Sequence, residues 1–291
     1  MQNYVFQERW KVHRFFRMII FSLVFCCVVV SLTAAVSAAT TEVHIVRYAA
    51  DNVTVIKEKT VTYQWMEANL PVMGDGATHY YHQGPVFVDD ADPAHEEELR
   101  WNAAEDKNVQ EKDMGAVKGT SLKDLCDLAG GMAPGDVVKI KANDGFTKTF
   151  AYENIYKPPA RQGPMAITWY HDVDGYVPDY RTGMRLVFFA DNSTNPWGIH
   201  AFGNNDWRQS AASEYWYYYR QGDEKYPTTT GLSIQYVSDI LIYSTNTTPG
   251  KPAHTTTAPV AAPTQAGISP FAIVCALAIC GFFVNTLQKR E

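Results

Sequence analysis

Two apolar runs bracket this 291-residue chain and leave only the stretch between them to fold in water. The C-terminal run, residues 268–287, holds 20 residues without a charged side chain. As a helix rising about 1.5 Å per residue it is about 30 Å long, the thickness of a bilayer core. Lys289 and Arg290 follow at once in the tail 288–291, as a cytoplasmic stop would. A removable lipid-anchor signal would end on apolar residues instead. At the other end, Arg9, Lys11, Arg14 and Arg17 precede an apolar run over 18–30 and a small-residue stretch over 31–39. Residues 1–39 thus have the three parts of a secretory signal, with cleavage expected near Ala38 or Ala39 and an uncleaved anchor as the alternative. Either outcome sends the following chain across the membrane, because the positive charges stay inside.

Residues 245–267 contain seven Thr and four Pro, with Lys251 the only charge. Such a segment has no core to bury and reads as a stalk open to O-glycosylation. Sequons at Asn52, Asn192 and Asn246 fit a glycoprotein of the cell surface. The expected topology is a single-pass protein of the cell membrane with residues 40–244 as its extracellular domain. Cysteines stand at 26, 27, 126, 275 and 280, so the domain has Cys126 alone and no internal disulfide. Its stability must come from a core, which about 200 residues can supply. Residues 40–267 carry 29 acidic and 19 basic side chains, a net charge of −10, which argues against a nucleic-acid partner.

Within the domain the dominant pattern is alternation. Val43, Ile45 and Arg47-Tyr48, then residues 53–63 around Lys57-Glu58-Lys59, read as two strands joined by a turn. Residues 89–113 are acidic and read as a long surface loop with one short helix. Leu122, Leu125, Cys126 and Ala129 follow helical spacing after Thr120 or Ser121 as cap, and Gly130-Gly131 can close the helix in left-handed backbone. Pro134-Gly135-Asp136 leads into a strand over 137–141, and Asn143-Asp144-Gly145 turns it into a second over 146–152. Further strands are predicted over 165–170, 184–190 and 234–243. The fold class is strand-rich α+β.

Gly119-Thr120-Ser121-Leu122-Lys123-Asp124-Leu125-Cys126-Asp127-Leu128-Ala129-Gly130-Gly131, followed by a strand and Asp144-Gly145-Phe146, resembles the molybdopterin-binding domain of the sulfite oxidase family. Trp65-Met66-Glu67-Ala68-Asn69-Leu70-Pro71 is similar to that family's short helix ending in Leu-Pro. Gly183-Met184-Arg185-Leu186-Val187 resembles its Gly-x-Pro-x-Arg-Leu strand. The domain also resembles a group of exported proteins of methanogenic archaea. Tyr80-Tyr81-His82-Gln83-Gly84-Pro85, Asn195-Pro196-Trp197-Gly198 and Tyr226-Pro227-Thr228-Thr229-Thr230-Gly231-Leu232-Ser233 carry that likeness. The first resemblance implies an oxidoreductase fold with a molybdopterin cofactor whose metal takes a cysteine thiolate upstream of the helix. No cysteine lies between Cys27 and Cys126, and Cys126 sits on the apolar stripe, so the departure argues against molybdenum chemistry.

Candidate contact residues follow from side-chain chemistry. On a helical turn His79 and His82 could share a transition metal with His200 or a carboxylate, whereas a strand would send them to opposite faces. Trp197, His200, Asn204, Asp206 and Trp207 fall in a Gly/Asn-rich aromatic stretch that can line a ligand pocket or close the core. The run Tyr215-Trp216-Tyr217-Tyr218-Tyr219 can likewise leave rings exposed for a cation or a sugar. Asp172-x-Asp174-Gly175 and Asp89-Asp90-x-Asp92 offer oxygen ligands for calcium without completing a loop motif. No residue can be assigned to catalysis. The leading expectation is a tethered ligand-binding or cell-envelope module taking a small molecule or glycan, without a cofactor. The alternatives are an oxidoreductase with non-cysteine ligation and a purely structural surface protein.

Overall fold

A computed structural model describes residues 39–88, 90–101, 112–195 and 197–245. The signal run, the stalk beyond Thr245, Asn246, residues 268–287 and the tail lie outside the described residues, as do Asp89 and Pro196. No helix among the described residues is long and apolar enough to cross a membrane. The elements are β1 Glu42–Tyr48, β2 Val55–Thr62, α1 Tyr63–Asn69, β3 Val72–Met73, β4 His79–His82, α2 Pro93–Trp101, β5 Asp113–Ser121, α3 Leu122–Leu128, β6 Val137–Ala142 and β7 Thr147–Ala151. They continue with α4 Tyr152–Tyr156, β8 Met165–His171, β9 Gly175–Tyr176, β10 Arg185–Phe188, β11 His200–Phe202, α5 Asn204–Ser210, β12 Tyr218–Gln221, β13 Glu224–Pro227 and β14 Val237–Tyr243. The class is mixed α+β, rich in strands and with several sheets.

Alternation in β1, β6 and β14 puts one apolar row on one face. Ile45 pairs with Ile240 and Ile240 with Ile140, all fully buried, in a sheet ordered β2-β1-β14-β6-β7. The first and last strands run parallel at its centre, while the other pairs are antiparallel. β2 runs straight through Lys57-Glu58-Lys59 because it is an edge strand, where charge is tolerated and discourages pairing with other chains. The Lys59 ammonium stands 3.9 Å from the Trp65 ring.

The second sheet runs β10-β8-β5-β4-β11 and is joined to the first through α3, which packs on β1, β5 and β8. Leu122, Leu125, Cys126 and Ala129 are fully buried, and Gly130 and Gly131 have φ of +97° and +74°, closing α3 as the spacing predicts. The expected side-chain cap is absent. Ser121 makes no capping bond, and Thr120 Oγ1 accepts from Trp169 Nε1 at 3.1 Å, because β5 runs directly into the helix and turns Thr120 toward the core.

This second sheet curls until its two edges meet. Phe188 on β10 stacks on Phe202 of β11 at 4.3 Å, and the Phe188 N–H donates to His82 Nε2 at 3.2 Å. Residues 228–234 seal the seam. The N–H groups of Thr229 and Thr230 donate to Gln83 O at 3.1 and 2.9 Å, and the Leu186 N–H donates to Ile234 O at 2.9 Å. Thr229 Oγ1 donates to Phe202 O at 2.7 Å and Ser233 Oγ to Leu186 O at 2.5 Å. A second small cluster of buried residues is formed by Tyr80, Met114, Val117, Ala166, Val187 and Phe189.

Candidate functional site

Strand geometry decides the histidine pair. β4 turns His79 outward, where Nδ1 lies 2.7 Å from Asp113 Oδ2, and buries His82 completely between the rings of Phe188 and Phe202. The two imidazoles therefore do not converge. His200 Nδ1 lies 2.7 Å from Ala190 O, with its ring 5.2 Å from that of Tyr80. Asp174 is engaged by Arg181 at 2.9 Å and Asp172 Oδ1 accepts the Ala116 N–H at 3.2 Å. Among the described residues no group of three or more His, Cys, Asp or Glu is arranged to hold a metal.

The stretch expected as one aromatic loop divides into a 3-10 turn at Asn192–Thr194, then β11 and α5. Trp197 stays partly exposed, its N–H donating to Asn195 Oδ1 at 3.1 Å. Asn204 is buried and belongs to the seam: Oδ1 accepts the Thr229 N–H at 2.9 Å and Nδ2 donates to Pro227 O at 2.9 Å, while its backbone N–H donates to Gln83 Oε1. Asp206 accepts the Gly203 N–H at 2.9 Å and lies 3.4 Å from Arg161. Burial pushes its carboxyl up to about 6, against the pull of the Gly203 N–H and of Arg161. Trp207 packs in the core and donates to Tyr215 O at 3.2 Å. Of these residues, Asn204 and Trp207 hold structure together, and His82 alone carries a buried polar atom with no hydrogen-bond partner, Nδ1.

That atom leads to groups which side-chain chemistry alone had not singled out. Because Nε2 accepts from Phe188, the neutral His82 ring carries its proton on Nδ1. Burial, and then the charge of Arg185, push His82 down to about 3, so it stays neutral at any ordinary pH. Arg185 opens β10, is only partly exposed, and donates from Nε to Ser233 Oγ at 2.8 Å. Among the described residues no carboxylate forms an ion pair with it. Burial lowers its basicity while the nearby Tyr180 raises it. Tyr180 OH and Thr182 Oγ1 are themselves buried without partners among the described residues. A guanidinium at the start of β10, an imidazole N–H of the histidine that meets its last residue, and two hydroxyls in the segment before it thus have donor capacity unused. The sequence signal for them is a lone arginine in the apolar run Met184-Arg185-Leu186-Val187-Phe188-Phe189. The open grooves of the first sheet, beside Asn52 and Tyr243 and beside His44 and Asp239, are lined by other residues.

No family model matches this chain, and no curated protein is similar enough to be counted a relative.

Proposed function

We propose that the chain displays an extracellular, membrane-tethered binding module whose ligand is a small oxyanion held at Arg185. The observation that carries this reading is the Arg185 guanidinium itself: covered enough to be desolvated and, among the described residues, hydrogen-bonded to Ser233 and paired with no acid. A charge in that setting is costly unless a counter-charge arrives, and a planar guanidinium matches a carboxylate, phosphate or sulfate edge with two parallel bonds. Tyr180, Thr182 and the Nδ1–H of His82 supply neutral donors of the kind that fix an anion without adding charge. The cell-surface setting draws on the signal, stalk and apolar run of the sequence. Exposure of Asn52 and Asn192, both in turns, is compatible with glycosylation.

The likeness to the sulfite oxidase family accords with a strand-rich α+β domain, yet the donor set does not fit a thiolate-held molybdenum. Cys126 is the only cysteine among the described residues, is fully buried on α3, and has its thiol pushed far up by that burial. No step is therefore assigned to that group. Titration calorimetry of the full chain in mild detergent with sulfate, phosphate and succinate tests the reading. One oxyanion is expected to bind at one site per chain, and Arg185→Met is expected to lose it while keeping the fold. Equal binding by Arg185→Met, or no binding of any of the three, would sink the assignment. Stoichiometric molybdenum with pterin in the chain purified from its native host would restore the redox reading.

A further inference from the structure

The turn between β1 and β2 carries a sequon, Asn52-Val53-Thr54, which by itself says only where a sugar can be attached. Asp51 fixes that turn, its carboxylate accepting from the Val53 and Thr54 N–H groups at 3.0 and 2.8 Å. Asn52 is exposed, with φ of +57°, a backbone that asparagine tolerates better than most residues. The side chains after it are apolar yet face water: Val53 is 78 % and Val55 45 % exposed. Val55 also begins a row across the outer face of the first sheet. Register sets Val55 beside Tyr48, Tyr48 beside Tyr243, Tyr243 beside Val137 and Val137 beside Ala151. Paired residues share a face, and the buried Ile242, Val138 and Phe150 occupy the opposite one. The Tyr48 and Tyr243 rings stack at 5.3 Å, and the Lys139 ammonium stands 5.2 Å from the Tyr243 ring. An open groove of about 720 Å³ is lined here by Asn52, Val137, Lys139, Thr149, Tyr243 and Ser244. Its size falls in the ~300–1,000 Å³ of sites that take small ligands.

We propose that this groove seats an N-linked glycan carried by Asn52, whose first sugars lie on Tyr243 and Val137. In its attachment Asn52 Nδ2 takes the anomeric carbon of a lipid-linked sugar donor. The N–C bond forms, the C–O bond to the lipid phosphate breaks with its electron pair, and the amide proton leaves to a base of the transferring enzyme. A pyranose has an apolar face of C–H groups and a rim of hydroxyls. The face covers Val137 and the Tyr243 ring, whose π-electrons attract C–H groups, while the rim meets the Thr149 hydroxyl and the Lys139 ammonium. Because the sugar is tethered to a residue of the groove itself, its effective concentration there is in the millimolar range, so weak contacts suffice to seat it. A free saccharide would need far stronger ones. The inference rests on export of the domain and is independent of the anion at Arg185.

The test compares the full chain from its native host with two variants made there. Asn52→Gly keeps the left-handed backbone, and Thr54→Val keeps Asn52 while removing the sequon, so their agreement separates the sugar from any change in the turn. Peptide mass spectrometry reads sugar occupancy at Asn52 and Asn192, then the rate at which N-hydroxysuccinimidyl acetate acetylates Lys139 and Lys57. Lys57 lies on β2, the strand that leaves the same turn, but lines no part of the groove. Asn52 is expected to carry sugar, and both variants are expected to acetylate severalfold faster at Lys139 with Lys57 unchanged. Equal Lys139 rates in all three chains would overturn the proposal, because the groove is then open or covered by the stalk or a second copy. Rates that rise alike at Lys139 and Lys57 would overturn it too, since a sugar waving above the turn shields both. Sugar on Asn192 with Asn52 bare would overturn it and leave export standing, whereas two bare asparagines would overturn it together with the glycoprotein reading.

Discussion

Asn204→Ala is the sharpest probe of the seam that closes the second sheet. The amide makes bonds to Thr229 N–H, Pro227 O and Gly84 O at 2.9, 2.9 and 3.3 Å, and the residue is 1 % exposed. Each neutral hydrogen bond contributes a net of about 1 kcal/mol, and the small void left by the amide adds to the loss. The Thr229 N–H keeps a second acceptor in Gln83 O at 3.1 Å, which limits the damage. The expected cost is about 2–4 kcal/mol, seen as a lower urea midpoint in tryptophan fluorescence of the detergent-solubilised chain. Faster hydrogen exchange at the Thr229 and Thr230 amides should accompany it. Asn204→Asp separates shape from chemistry, since a carboxylate keeps the acceptor for Thr229 but points a charge at Pro227 O. Its folded-state pKa must then lie above the ~3.9 of an unfolded Asp, so this variant should be most stable at low pH and lose stability as pH rises. A cost below about 1 kcal/mol for Asn204→Ala, or an Asn204→Asp chain as stable as the unaltered one at neutral pH, would refute the argument.

Two further perturbations test other parts of the fold. Asp206 has its folded pKa raised to about 6 by burial, so its contribution is fully present below the unfolded value of ~3.9 and is lost as pH rises through ~6, by up to about 3 kcal/mol. Asp206→Asn should flatten that part of the stability profile, and an unchanged slope in urea unfolding between pH ~4 and ~6.5 would exclude this residue as its source. Gly163 has φ of +66°, and an added Cβ would fall inside the van der Waals shell of the Phe189 carbonyl oxygen. Gly163→Ala should therefore cost more than about 3 kcal/mol, and a midpoint within experimental error of the unaltered chain would show that the backbone yields.

The local half of the fold is legible in the sequence. α3 and its two glycines, the β6–β7 hairpin, and β8, β10 and β14 all follow from periodicity and turn residues, because each buries one face against its own layer. β5 escapes that reading. Met114-Gly115-Ala116-Val117 is buried on both faces, with glycines admitting close neighbours, so no alternation shows. α5 escapes for the opposite reason: Asn204-Asn205-Asp206-Trp207-Arg208-Gln209-Ser210 presents one large apolar side chain, and the helix exists because Gly203, Asp206 and the seam hold its first turn. The candidate anion site is illegible in detail because Arg185 meets Ser233, and Phe188 meets His82, through sheet closure and not through spacing. A charge within an apolar strand, Arg185, is the trace that site leaves in the sequence. Segments that share a resemblance in sequence, residues 80–85 and 226–233, turn out to touch each other along the seam.

The parallel pairing of β1 with β14 has a mechanical consequence. A load applied to the chain beyond Thr245 pulls β14 along its own axis, and β14 is flanked on both sides, by β1 and by β6. Two ladders then resist sliding together, whereas an edge strand such as β2 or β7 would peel away one bond at a time. Tension reaching the domain from its C-terminal side is thus met in shear at the middle of the sheet. The seven residues of β14 are the last of the sheet to be made and the first to bear that force.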